Sequence, residues 1–104
     1  MIRLMTDNGG RLEIDFDDGS MDGFLRVAQW MEDALGAESI HRLTGIGEAY
    51  WDYRVDGVLL TLHHHDMMGN VLYHADESGR AAIERLFPVA KAAGLYPEED
   101  TPPA

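Results

Sequence analysis

At 104 residues, 45% of them apolar, the chain has the size of one globular domain and is too apolar to be disordered; without cysteine it can form no disulfide, thiolate nucleophile or cysteine-ligated metal site. Nineteen acids against eight bases give a net charge of −11, which repels phosphate backbones and argues against a nucleic-acid partner. No apolar run approaches the roughly 18 residues of a membrane span, and MIRLMTDNGG reads as a strand and turn rather than a signal-peptide core, so we expect no membrane role and a cytoplasmic protein.

The first strand is predicted over Ile2 to Thr6, followed by the turn signal Asp7-Asn8-Gly9-Gly10. The second runs from Arg11 to Asp17, with Leu12, Ile14 and Phe16 alternating against Glu13, Asp15 and Asp17, the pattern of a half-buried strand. A hairpin here sets Ile2 and Leu4 beside Phe16 and Ile14. Asp18 or Ser20 can cap the next helix, and Gly36 can end it. Phe24, Val27, Ala28, Met31 and Leu35 recur at helical spacing and form one apolar stripe. Ser39 to Leu43 is a short strand with little pattern behind it.

Ala49 to Val55 and Val58 to His65 form the clearest hairpin, because Asp56-Gly57 is the two-residue loop that type I′ turns favour. Counting outward pairs Val55 with Val58, Tyr53 with Leu60 and Trp51 with Leu62, all on one face, and Trp51 is expected in the core. A four-residue loop, Asp66-Met67-Met68-Gly69, then leads into a strand over Asn70 to Ala75, pairing Leu62 with Tyr73 and His64 with Val71. The last helix runs from about Ser78 to Gly94, with Pro88 expected to kink or divide it. The expected fold is α+β: a two-layer sandwich of two helices on a mainly antiparallel five- or six-stranded sheet, in the order ββαββββα. Residues 1–94 make the domain, and residues 95–104, with three consecutive acids and three prolines, are expected to be a mobile tail.

The most unusual residues are His63-His64-His65-Asp66, with His74 on the next strand. Alternation sends His63 and His65 to the outer face. The register above places His74 there too, near Tyr50 and Asp52. Histidines two apart on a strand project in parallel about 7 Å apart, so His63, His65 and His74 are the candidate ligands for a divalent transition metal. If the face is instead wet and metal-free, removing His63 or His74 costs less than about 1 kcal/mol of stability. No nucleophile elbow surrounds Ser20, Ser39 or Ser78, and Gly45-Ile46-Gly47 lacks the rest of a dinucleotide loop. Met67 and Met68 stand at a turn, where adaptable thioethers suit contact with a partner.

The function expected from these features is a small non-enzymatic binding or regulatory module, without cofactor, acting by protein contact with a basic partner through Met67 and Met68. The alternative is a small metal-dependent enzyme or metal-binding protein built on the histidine cluster. A homodimer is also expected, because two helices leave sheet face and sheet edge open.

Overall fold

The computed structural model describes residues 1–95. The elements are β1 (Arg3–Thr6), β2 (Leu12–Asp15), α1 (Met21–Ala34), β3 (Glu38–Gly45), β4 (Glu48–Val55), β5 (Val58–His65), β6 (Gly69–His74), a 3-10 turn at Glu77–Gly79, and α2 (Arg80–Ala92). This is the expected α+β order, ββαββββα. The six strands form one sheet in the order β1-β2-β6-β5-β4-β3, with every neighbouring pair antiparallel. Consecutive hairpins build β3 to β6; the N-terminal hairpin joins them through β2 beside β6. Of the expected tail, residues 96–104 lie outside the described residues, whereas Leu95 is buried against the core.

Both helices lie on one face. α1 packs over β5, and α2 over β2 and β6. Beneath them, Ile14, Phe16, Phe24, Val27, Met31, Tyr53, Leu60, Leu62, Leu72 and Ile83 have no solvent exposure. Each helix buries one stripe because its apolar residues repeat at three- and four-residue steps. Ser20 caps α1, its side chain accepting from the Gly23 N–H at 2.9 Å. Gly23 is also a steric requirement: a Cβ there would sit 1.5 Å from a carboxylate oxygen of Asp18. α2 passes through Pro88 as one helix rather than two. Pro88 faces solvent, so water can serve the carbonyl that the missing N–H leaves open.

The β4–β5 register is the expected one, with Val55 opposite Val58 and Trp51 opposite Leu62. Asp56 (φ 51°) and Gly57 (φ 83°) are both left-handed, as a type I′ turn demands. The β5–β6 register differs from expectation by one residue. His65 pairs with Gly69, so the loop is the three residues Asp66-Met67-Met68, and Leu62 faces Leu72 rather than Tyr73. Because side chains alternate with a period of two, that single step turns all of β6 over. Asn70, Leu72 and His74 face the helices; Val71 and Tyr73 face outward.

Trp51 also differs from expectation. It lies on the helix side but only half-buried, near the β3 edge that the helices leave uncovered. Its ring meets Phe24 edge-on at 4.9 Å, the Arg42 guanidinium lies 4.2 Å above it, and its indole N–H donates to Thr44 Oγ1 at 2.9 Å. The aromatic at the centre is Tyr53, whose ring is enclosed and whose hydroxyl donates to Glu32 at 2.6 Å. Burial and that carboxylate push the Tyr53 phenol far above its ordinary range.

Phe24→Ala should therefore cost about 3–5 kcal/mol, the range for emptying a closed aromatic site. Trp51→Ala should cost roughly 2 kcal/mol, the sum of one ring pair, one cation–π contact and one hydrogen bond at a half-open position. Urea denaturation of the two variants measures the difference; equal losses would contradict the half-open placement of Trp51.

Candidate functional site

The β6 register decides the fate of the histidine cluster. His63 and His65 do share the outer face, their ring centroids 6.5 Å apart. His74 does not join them. It lies on the opposite face, almost fully buried, with Nε2 accepting from the Leu12 N–H at 3.1 Å and Nδ1–H donating to the Asp76 carbonyl at 2.8 Å. Both ring nitrogens are used in joining β2 and the start of the 3-10 turn to β6. The expected trio of His63, His65 and His74 is thus divided by the sheet, and among the described residues no group of three His, Asp or Glu side chains is placed to hold a metal ion.

The outer face closes over itself. Tyr50 stacks on His63 with ring centroids 4.1 Å apart, and Glu48 accepts from the Tyr50 hydroxyl at 2.8 Å and from His63 Nε2–H at 3.2 Å. These two hydrogen bonds hold the Glu48 carboxyl below its ordinary range. Thr61 donates to Asp52 at 2.7 Å, and the Arg11 guanidinium lies 3.7 Å above the Tyr73 ring, leaving Tyr73 only 9% exposed without any covering layer. Burial pushes the phenol of Tyr73 and the carboxyl of Glu13 up. It pushes His63 down, an effect only partly offset by Glu48. The polar groups here are largely committed to one another.

His64, the middle histidine, points inward and is nearly enclosed. Its Nδ1–H donates to Asn70 Oδ1 at 2.7 Å, and its Nε2 faces Asp66 Oδ1 at 3.1 Å. Asn70, with no exposure, donates its amide to the Ser20 carbonyl at 3.0 Å, and its backbone N–H donates to the Asp18 carbonyl at 2.9 Å. The Asp66 N–H donates to the Gly47 carbonyl at 2.9 Å. Three connections are thereby gathered at one end of the sheet: the β2–α1 segment, the β3–β4 turn and the β5–β6 turn.

This gathered end carries the most open chemistry of the described residues. Met67 and Met68 are 89% and 79% exposed, and Ile46 in the neighbouring turn is fully exposed. At this end lies a hollow of about 270 Å³ lined by Asp15, Asp17, Asp18, Asp66, Arg3, the two methionines, Gly19 and Gly69. Arg3 pairs with Asp15 at 2.7 Å, and the terminal ammonium of Met1 pairs with Asp17 at 2.8 Å, holding the Asp17 carboxyl below its ordinary range. Asp18 accepts from the Ser20 backbone and hydroxyl. Arg3 is the one cation among the described residues that line the hollow with these four carboxylates. Met67 and Met68 are legible in the sequence; the signal for Ile46 is fainter, an apolar residue between two turn glycines.

His74→Ala should cost about 2–4 kcal/mol, since it empties a buried site and strands the Leu12 N–H. His63→Ala should cost roughly 1 kcal/mol. Urea melts of both variants compare the two faces directly.

The His63 shift also has a sign. With its folded pKa below the ordinary value of about 6.5, the unfolded chain binds more protons at mildly acid pH, so this group's contribution is present above that value and is lost as pH falls through the folded pKa. The urea midpoint should fall between about pH 7 and pH 5.5, and His63→Gln should flatten that slope; an unchanged slope would contradict the burial of the ring. No protein-family model, curated protein or solved structure matches the chain.

Proposed function

We propose that the chain is a non-enzymatic binding module that engages a basic protein partner through the end of the sheet where Met67 and Met68 border the carboxylate-lined hollow and Ile46 stands exposed in the neighbouring turn. The observation that carries this reading is the juxtaposition of almost fully exposed thioether side chains with Asp15, Asp17, Asp18 and Asp66. Methionine moulds to irregular apolar surfaces, and carboxylates beside it attract and orient a lysine- or arginine-bearing segment. The net charge of −11 supports long-range steering of such a partner. The hydrogen bonds of Asn70 and Asp66 support a binding end held in shape before contact, which lowers the ordering cost of association.

A short arginine-rich peptide titrated into labelled protein should shift the amide signals of residues 17–20, 46–47 and 66–69 while leaving those of α2 in place. Affinity should fall steeply between low and physiological salt. Met67→Ser/Met68→Ser should weaken binding about tenfold or more, the loss of roughly 1.4 kcal/mol or more of apolar contact. Shifts spread evenly over the acidic surface, or a double variant that binds as well as the parent, would overturn the assignment.

A further inference from the structure

The two edges of the sheet are unlike. β1 offers four residues, and its outward-facing Arg3 is tied back to Asp15. β3 offers eight, and every one of them is exposed. It contains no proline or lysine, two residues that commonly protect an edge against pairing. Its one irregularity is the register shift between Ser39 and His41, after which His41 to Gly45 pair with β4 without interruption. The midpoint of that regular stretch is Leu43, an apolar residue 57% exposed.

We infer that β3 pairs antiparallel with β3 of a second copy of this chain about a twofold axis at Leu43, making one continuous twelve-stranded sheet. The occupant follows from self-complementarity. In this register Leu43 meets Leu43, Arg42 meets Thr44, and His41 meets Gly45. Ile40 and Ile46, 41% and fully exposed in the single chain, lie just beyond the two ends of this regular stretch. The exposed leucine at the centre of this edge thus finds its twin, and no like charges stand directly opposite. Moving the axis to Arg42 would set two guanidinium-bearing side chains face to face; moving it to His41 would oppose two histidines. Arg42 is already drawn over α1 by Glu32, at 2.5 Å, which leaves the backbone edge clear. A twofold, isologous contact of this kind closes on itself and leaves only the two short β1 edges at its ends.

The absence of cysteine makes the register testable, because a single introduced thiol has only its twin to react with. Residues facing each other across an antiparallel pair have Cα atoms about 4.5–5.5 Å apart, within disulfide reach. Under mild oxidation Leu43→Cys should form a covalent dimer, and Ile40→Cys, whose twin lies about 20 Å away along the strands, should not. Equal cross-linking of both would mean random collision and overturn the register. Sedimentation equilibrium of the parent should give a dimer that tightens as salt rises, because each copy carries −11. That trend is opposite to the one expected for a basic partner, so the two readings fail separately. Leu43→Lys should raise the dimer dissociation constant at least about tenfold with unchanged circular dichroism. A parent that stays monomeric at high micromolar concentration in high salt, or a Leu43→Lys protein that dimerises as well as the parent, would overturn the proposal.

Discussion

Asn70 has no exposed surface, and every polar atom it carries must find a partner inside the protein. Its side chain meets His64 and the Ser20 carbonyl, its backbone N–H meets Asp18, and its carbonyl accepts from the Phe16 N–H. These four bonds can be made together only when β6 stands in one register against β5 and one position against the β2–α1 segment. Sliding β6 by a residue would bury Val71 in place of the amide, strand the Ser20 carbonyl and His64 Nδ1, and turn Leu72 out of the core. A buried amide contributes little net stability over an apolar residue of similar shape, but it makes alternatives expensive. The rest of the architecture inherits its choice: on which face His74 lies, where the Met67-Met68 turn points, and how the three connections meet.

Much of the fold was legible because local chemistry and long-range pattern agreed. Asp56-Gly57 demands a tight turn, and the alternation of Val55, Tyr53 and Trp51 against Val58, Leu60 and Leu62 accepts the register that turn imposes. The N-terminal hairpin was legible for the same reason. β6 was not, because its two faces compete. Val71 and Tyr73 look like the inward set on hydrophobicity, and Asn70 and His74 look like surface residues. They are inward because each bonds a backbone group that burial would otherwise leave unsatisfied, a requirement that exists only once β2 lies beside β6. The pattern puts Trp51 on the correct face but implies too great a depth, since its neighbour β3 is an edge and the helices stop short of it. The candidate site was half legible: the two methionines announced themselves, whereas Ile46 and the carboxylates of the hollow come together only through tertiary contact.

The outer face illustrates how a sheet without a second layer keeps its aromatic residues dry. Tyr50 and His63 stack, Glu48 bridges them, and Arg11 folds across Tyr73. Long polar side chains replace the missing helices, using their stems and planar faces as cover while their charged ends stay hydrated. The same arrangement explains why three successive histidines do not amount to one chemical unit. Two belong to this self-covering layer, and the middle one belongs to the polar junction on the other side.

The sheet order also has a consequence for how the chain comes together. From β3 to β6 every strand pairs with its immediate successor, so each step closes a short loop. The contact between β2 and β6 is of another kind: it rests on three residue pairs, and Ile14 meets Leu72 across 58 positions of sequence. Closing so long a loop carries the largest entropic cost in the sheet and is recovered only when Ile14, Phe16 and α2 bury one another. The four-stranded meander can therefore assemble as a local unit, with the N-terminal hairpin docking afterwards. Once opened, the same seam has the longest loop in the sheet to close again.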